Sequence, residues 1–179
     1  MDAQDFKAAW EREGDTLYRF TGEEIGHAQT TAEAEHFLTI AGLPVEAAPC
    51  LSFGQQSLDW LPEGARNDYL AIGSDGAGNP IVIDKTGAVL LLDHDEKFEP
   101  SYVNHDVPTL AASLLRYRDL IDEAATAPDF DGALSLGRVD KRDSQTRLVL
   151  IQDCFLRGSH GSRGFVGRGV GSDRAATAA

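Results

Sequence analysis

Cysteine, methionine and positive charge are all scarce in this 179-residue chain. It has two cysteines, one methionine and 16 Lys+Arg against 29 Asp+Glu, for a formal net charge of −13. Cys50 and Cys154 lie far apart with no C-x-x-C pair, which excludes a cysteine zinc site and a disulfide framework. Both are expected as free thiols in a reducing compartment. Long apolar runs are missing too, and none approaches the ~18 residues needed to span a bilayer. The opening stretch MDAQDFKAAWEREGD is too charged for a signal peptide. A cytoplasmic location is therefore expected. Neither G-x-S-x-G nor H-E-x-x-H occurs, so no hydrolase nucleophile or zinc-protease pair is indicated.

The shortage of basic residues also bounds the partners. Residues 1–150 hold 27 acidic and 12 basic side chains, whereas 151–179 hold 2 and 4. A body this acidic repels a nucleic-acid backbone and an anionic membrane, and neither is expected as a partner. The charge suits a basic partner protein, or solubility alone.

What is present reads as alternating helices and short strands. Asp2 can cap a first helix whose Phe6, Ala9 and Trp10 share one face, with Gly14 ending it. Thr16–Phe20 reads as a short strand. A second helix is signalled by Thr30 three residues before Glu33, a capping-box spacing, followed by Ala34, Phe37, Leu38 and Ala41. Gly42 can take the left-handed position after it, and Pro44 stops it. Leu51–Phe53 is a possible strand. The loop from Gly54 to Arg66 is expected to be pinned by Leu58, Trp60 and Leu61.

Tyr69–Ile72, Pro80–Ile83 and Val89–Leu92 are aliphatic runs separated by turn residues, which predicts an antiparallel meander. Gly87 is placed to adopt positive φ in the Asp84–Gly87 turn. The consecutive apolar triplets Ile81–Ile83 and Leu90–Leu92 break strict alternation and predict strands covered on both faces. Ser101–Val103 can add an edge strand. A third helix is capped by Asp106, with Leu110, Leu114, Tyr117 and Ile121 on its inner face. Thr146–Asp153 can be a strand or a helix start. Residues 1–156 are read as one domain. Residues 157–179, with six glycines and four arginines, cannot bury enough surface to order and are expected to be disordered.

Four constellations invite a chemical reading. GSDGAGNP, Gly73–Pro80, is glycine-rich, but a strand and not a helix follows, and no lysine is present for a phosphate. Its acidic and amide oxygens do not have calcium-loop spacing. A hairpin loop is the reading. DHDEKFE, Asp93–Glu99, sets His94 among carboxylates; His105 is the second histidine that a metal-binding or hydrolytic site would need, and an exposed acidic loop is the plainer reading. Cys154 and His160 are near in sequence, but nothing holds a base at hydrogen-bond range. Glu23 and Glu24 have no pocket context and read as surface. No catalytic, metal or cofactor residue is assigned.

Three pieces in order carry a resemblance over Tyr18–Ile121. Gly42-Leu43-Pro44 precedes a short apolar strand, YLAIGSDGAGNPIVID is a glycine-punctuated hairpin, and Val103-Asn104 precedes a helix with Leu110 and Leu114 inward. Together they resemble the SUKH superfamily of bacterial immunity proteins, most nearly its fourth subfamily. The resemblance implies an α+β fold, a curved antiparallel sheet (meander) with helices packed against it. It implies no catalysis, but binding and neutralisation of a cognate polymorphic toxin or a role as a protein-interaction module; no cofactor is expected, and the acidic charge suits a nuclease toxin with a cationic groove. Relatives continue with a further helical segment where this chain has the glycine–arginine tail. On charge and loop position, Asp75, Asp93, Asp95, Glu96 and Glu99 are the expected contacts with a basic toxin. A metal-binding or hydrolytic enzyme using His94 and His105, or a regulatory interaction scaffold, are the alternatives.

Overall fold

The computed structural model describes residues 1–11, 14–26, 28, 30–47, 50–59, 61 and 66–126. Thr146–Asp153, Cys154, His160 and the segment 157–179 lie outside the described residues, as do Trp60 and the C-terminal part of the expected 1–156 domain.

Helix α1, Ala3–Glu11, begins where the Asp2 carboxylate accepts the Gln4 N–H at 2.8 Å. It buries Ala3, Phe6 and Trp10. The short strand β1, Leu17–Tyr18, follows and pairs with β2, Leu43–Pro44. Between them lie a one-turn helix α2, Gly22–Ile25, and helix α3, Ala32–Ile40. Thr31, not Thr30, caps α3: its hydroxyl accepts the Ala34 N–H at 3.2 Å. The Thr30 hydroxyl is instead buried without a hydrogen-bond partner. Ala34, Phe37, Leu38 and Ala41 are all buried, as their spacing predicts.

The main sheet has six strands in sequence order: β3 (Glu46–Ala47), β4 (Leu51–Phe53), β5 (Tyr69–Ser74), β6 (Pro80–Asp84), β7 (Val89–Asp93) and β8 (Glu99–Asn104). Every neighbouring pair is antiparallel, so the sheet is a meander and the fold is α+β. Helix α4, Val107–Ala125, closes the described chain. Asp106 caps it by accepting the Thr109 N–H at 2.7 Å.

The sheet is covered on both faces, which explains the unbroken apolar triplets. On one face Leu70, Ile72, Ile81, Ile83, Val89 and Val103 meet Phe6, Phe37, Leu38, Leu110 and Leu114 of the helices. On the other, Ala71, Val82 and Leu92 pack with Leu61, Leu58 and Phe98. Burying each large aliphatic side chain contributes about 1.5–3 kcal/mol before chain entropy is counted. Helices α1 and α4 are joined by Arg118, which lies 4.9 Å from the Trp10 ring centroid and donates to the Ala9 and Trp10 carbonyls. A side chain 108 positions on in sequence thus closes the C-terminal end of α1.

Candidate functional site

The antiparallel order puts the β5–β6 and β7–β8 loops at the same end of the sheet. In the first loop the Asp75 carboxylate is engaged internally. Its Oδ1 accepts the N–H groups of Ala77 (2.9 Å) and Asn79 (2.8 Å), and its Oδ2 accepts the Asn79 amide at 2.9 Å. Asx turns of this kind set a chain reversal, and Gly78, at φ +86°, completes it. Of the glycines in this segment, Gly78 is the one that serves the reversal through its backbone conformation.

Asn79 is 2% exposed and reaches across to the second loop. Its Oδ1 accepts the His94 N–H at 3.1 Å and lies 2.5 Å from His94 Nδ1. An amide oxygen can only accept, so Nδ1 carries the proton and Nε2 faces Asp95 Oδ1 at 3.5 Å. The chain Asp75–Asn79–His94 therefore fastens the two hairpin loops together.

The second loop folds around the Asp93 carbonyl, which accepts the Phe98 N–H at 2.7 Å and the Glu96 N–H at 3.2 Å. Asp93 Oδ1 accepts the Asp95 N–H at 2.9 Å. Lys97 and Phe98 both adopt left-handed φ, 57° and 62°, and Phe98 packs on the Val82–Leu92 cluster. Asp95, Glu96, Lys97 and Glu99 are exposed. All five expected contact residues thus lie at one end of the sheet, Asp75 and Asp93 with carboxylates that also hold their own loops.

His94 and His105 are not brought together. They flank opposite ends of the β7–β8 ladder, and His105 Nδ1 lies 2.9 Å from Asp106 Oδ2 at the start of α4. Among the described residues no group of three or more His, Cys, Asp and Glu is placed to hold a metal ion. No helix among them is long and apolar enough to cross a membrane.

A second feature lies at the other end of β5. A groove of about 480 Å³ is lined by Phe20, Glu24, Gln55, Gln56, Asn67 and Tyr69, among others. Its wall is organised by α2, where Thr21 and Glu24 form a complete capping box. Glu24 Oε2 accepts the Thr21 N–H at 2.6 Å, and Oε1 accepts the Tyr18 hydroxyl at 2.5 Å. The Thr21 N–H, followed by the Tyr18 hydroxyl, holds the Glu24 carboxyl below its ordinary range. The same hydrogen bond to a carboxylate, with burial second, raises the Tyr18 phenol above its usual value. Glu24 is therefore half-buried and built into a wall, not the bare surface acid its sequence context suggested. The signal was present: Thr21-Gly22-Glu23-Glu24 followed by Ile25 is itself a capping-box pattern. The groove was not legible, because its walls come from residues around 20, 55 and 67.

A family model described as SUKH-4 immunity protein matches residues 2–149. No curated protein and no solved structure matches the chain.

Proposed function

We propose, from the premise that this chain belongs to the SUKH-4 immunity protein family, that it binds and neutralises a cognate toxin by covering it. The toxin is basic, and a nuclease with a cationic substrate groove fits. The contact is the acidic end of the sheet, with Asp93, Asp95, Glu96 and Glu99 facing the partner and Asp75 holding the loop beside them. Family membership carries the reading of a toxin partner. The choice of surface is supported by charge and by the Asn79 tether, which joins two acidic loops before any partner arrives. A preformed surface loses less entropy on binding. Complementary charge speeds encounter and rejects wrong partners, while buried apolar contacts supply most of the affinity.

Neutralisation here needs no turnover by the chain itself. The test is co-purification of the full chain with the toxin domain encoded beside it, followed by the toxin's activity assay. A stoichiometric complex in which toxin activity is lost supports occlusion. A toxin that emerges chemically altered, or no complex at all, refutes it.

A further inference from the structure

We propose, building on that reading, that the groove at the start of β5 receives an arginine side chain of the partner. The groove is distinct from the acidic loops. It lies beside Tyr69–Ala71, whereas those loops follow Ser74 and Asp93, roughly 15–20 Å away along the strands.

The argument begins with Glu24. Its two oxygens each accept one hydrogen bond, from Tyr18 and from Thr21, and each retains a second acceptor position. Strand β1 and helix α2 are thereby fixed around one carboxylate, which those donors keep ionised.

The cation already in the wall does not neutralise it. Arg66 donates from Nε to the Leu61 carbonyl at 2.7 Å, from Nη2 to the Asp59 carbonyl, and pairs through Nη1 with the Asp59 carboxylate at 3.4 Å. Arg66 is thus matched to Asp59 and shapes the loop, which leaves Glu24 as the uncompensated charge among the described lining residues. Gln55, Gln56 and Asn67 line the same groove, as do the apolar Phe20 and Leu58.

This set fits a guanidinium better than other groups. Five N–H donors in one plane need several acceptors, and the groove offers a carboxylate with amides beside it. The methylene stem of arginine can pack on apolar lining such as Phe20 and Leu58 while its head meets the polar lining. A lysine ammonium has three donors and uses fewer of the acceptors. An acidic side chain would face Glu24. The volume falls in the range of preformed ligand sites.

The test needs no toxin. N-acetyl-arginine amide is titrated into the isotope-labelled full chain and followed by amide NMR, with the lysine, leucine and glutamate analogues at matched ionic strength. Saturable shifts at Gln55, Gln56, Ser57 and Asn67, strongest for arginine, are expected. Glu24→Gln keeps one acceptor oxygen, for the capping-box Thr21 N–H, and its amide can donate to the Tyr18 oxygen in place of the bond it loses, yet the substitution should weaken arginine binding at least tenfold. Ala28→Phe should fill the groove and abolish it. The proposal is overturned if wild type gives no saturable shifts there, if the shifts centre on residues 93–99, or if Glu24→Gln binds as well as wild type. A negative result removes the groove and leaves occlusion at the acidic end untouched. A toxin that fails to bind leaves the arginine titration readable.

Discussion

Asn79 shows how one buried polar side chain can organise a surface. It is one of three buried polar residues among the described residues, and its engaged amide atoms bond to the two loops. Replacing it with leucine leaves the His94 N–H and the Asp75 Oδ2 without the partner that joins the two loops through part-buried hydrogen bonds. Asn79→Leu is expected to cost about 1–3 kcal/mol. Urea denaturation would measure it, and the His94 ring resonances should move in the same variant. A change below about 0.5 kcal/mol would show that the tether is incidental. Sequence reasoning selected Asp75 and His94 and weighed Asn79 only as a calcium oxygen, because an asparagine in a glycine-rich turn looks like any other turn residue. Its burial is a consequence of the second hairpin folding over the first.

At the scale of elements, legibility followed local chemistry. Helices α1, α3 and α4 carry caps and a helical apolar period, and strands β5, β6 and β7 are aliphatic runs between Asx turns. All were readable. Strands β2 and β3 are two residues each, too short for a local pattern to announce them; β2 forms against the distant β1, and β3 turns straight back onto β4. The α3 cap was misplaced by one residue because Thr30 and Thr31 are chemically equivalent, and only packing distinguishes them. The turn from α3 into β2 was readable at Gly42 but for an incomplete reason. Its φ of +76° favours glycine, and in addition a Cβ there would sit 2.0 Å from the Tyr18 carbonyl oxygen. Gly42→Ala would therefore push β1 off β2 and is expected to destabilise by about 3 kcal/mol or more. Thermal unfolding tests this, and a melting point within a degree or two of wild type would contradict the close approach.

The whole molecule combines strong negative charge with several carboxylates that the fold holds ionised. In Asp84, burial raises the carboxyl, but the Thr86 hydroxyl and the N–H groups of Thr86, Ala88 and Gly87 outweigh it and the net shift is downward. In Asp106 burial is likewise outweighed, by Thr109 and His105. Glu24 is lowered as described. For groups lowered in the folded state, the unfolded chain takes up protons first as pH falls. Their contribution is complete above the unfolded values of 4.5 for Glu24 and 3.8 for the two aspartates, and is lost as pH drops through the lower folded values. Tyr18 behaves oppositely: its contribution is present below 10.0 and is lost as pH rises through its higher folded value. Denaturant midpoints should be level through neutral pH, then fall at the acid end and again at the alkaline end. Asp84→Asn should flatten part of the acid limb while lowering the plateau. An acid limb unchanged by that substitution would assign acid unfolding elsewhere.

The same charge governs recognition. With a formal net charge of −13, association with a basic partner should be fast at low salt and should slow as salt rises. The most direct measurement is the dissociation constant of the full chain for its neighbouring toxin domain, compared with a variant carrying Asp93→Asn, Asp95→Asn, Glu96→Gln and Glu99→Gln. Asp75 is left intact because both of its oxygens hold the β5–β6 loop, whereas Asp93→Asn keeps an oxygen to accept the Asp95 N–H. Affinity at least tenfold weaker in the variant, mainly through slower association, is the predicted result. Equal affinity and equal association rates in the two proteins would contradict the assignment of that surface to the toxin.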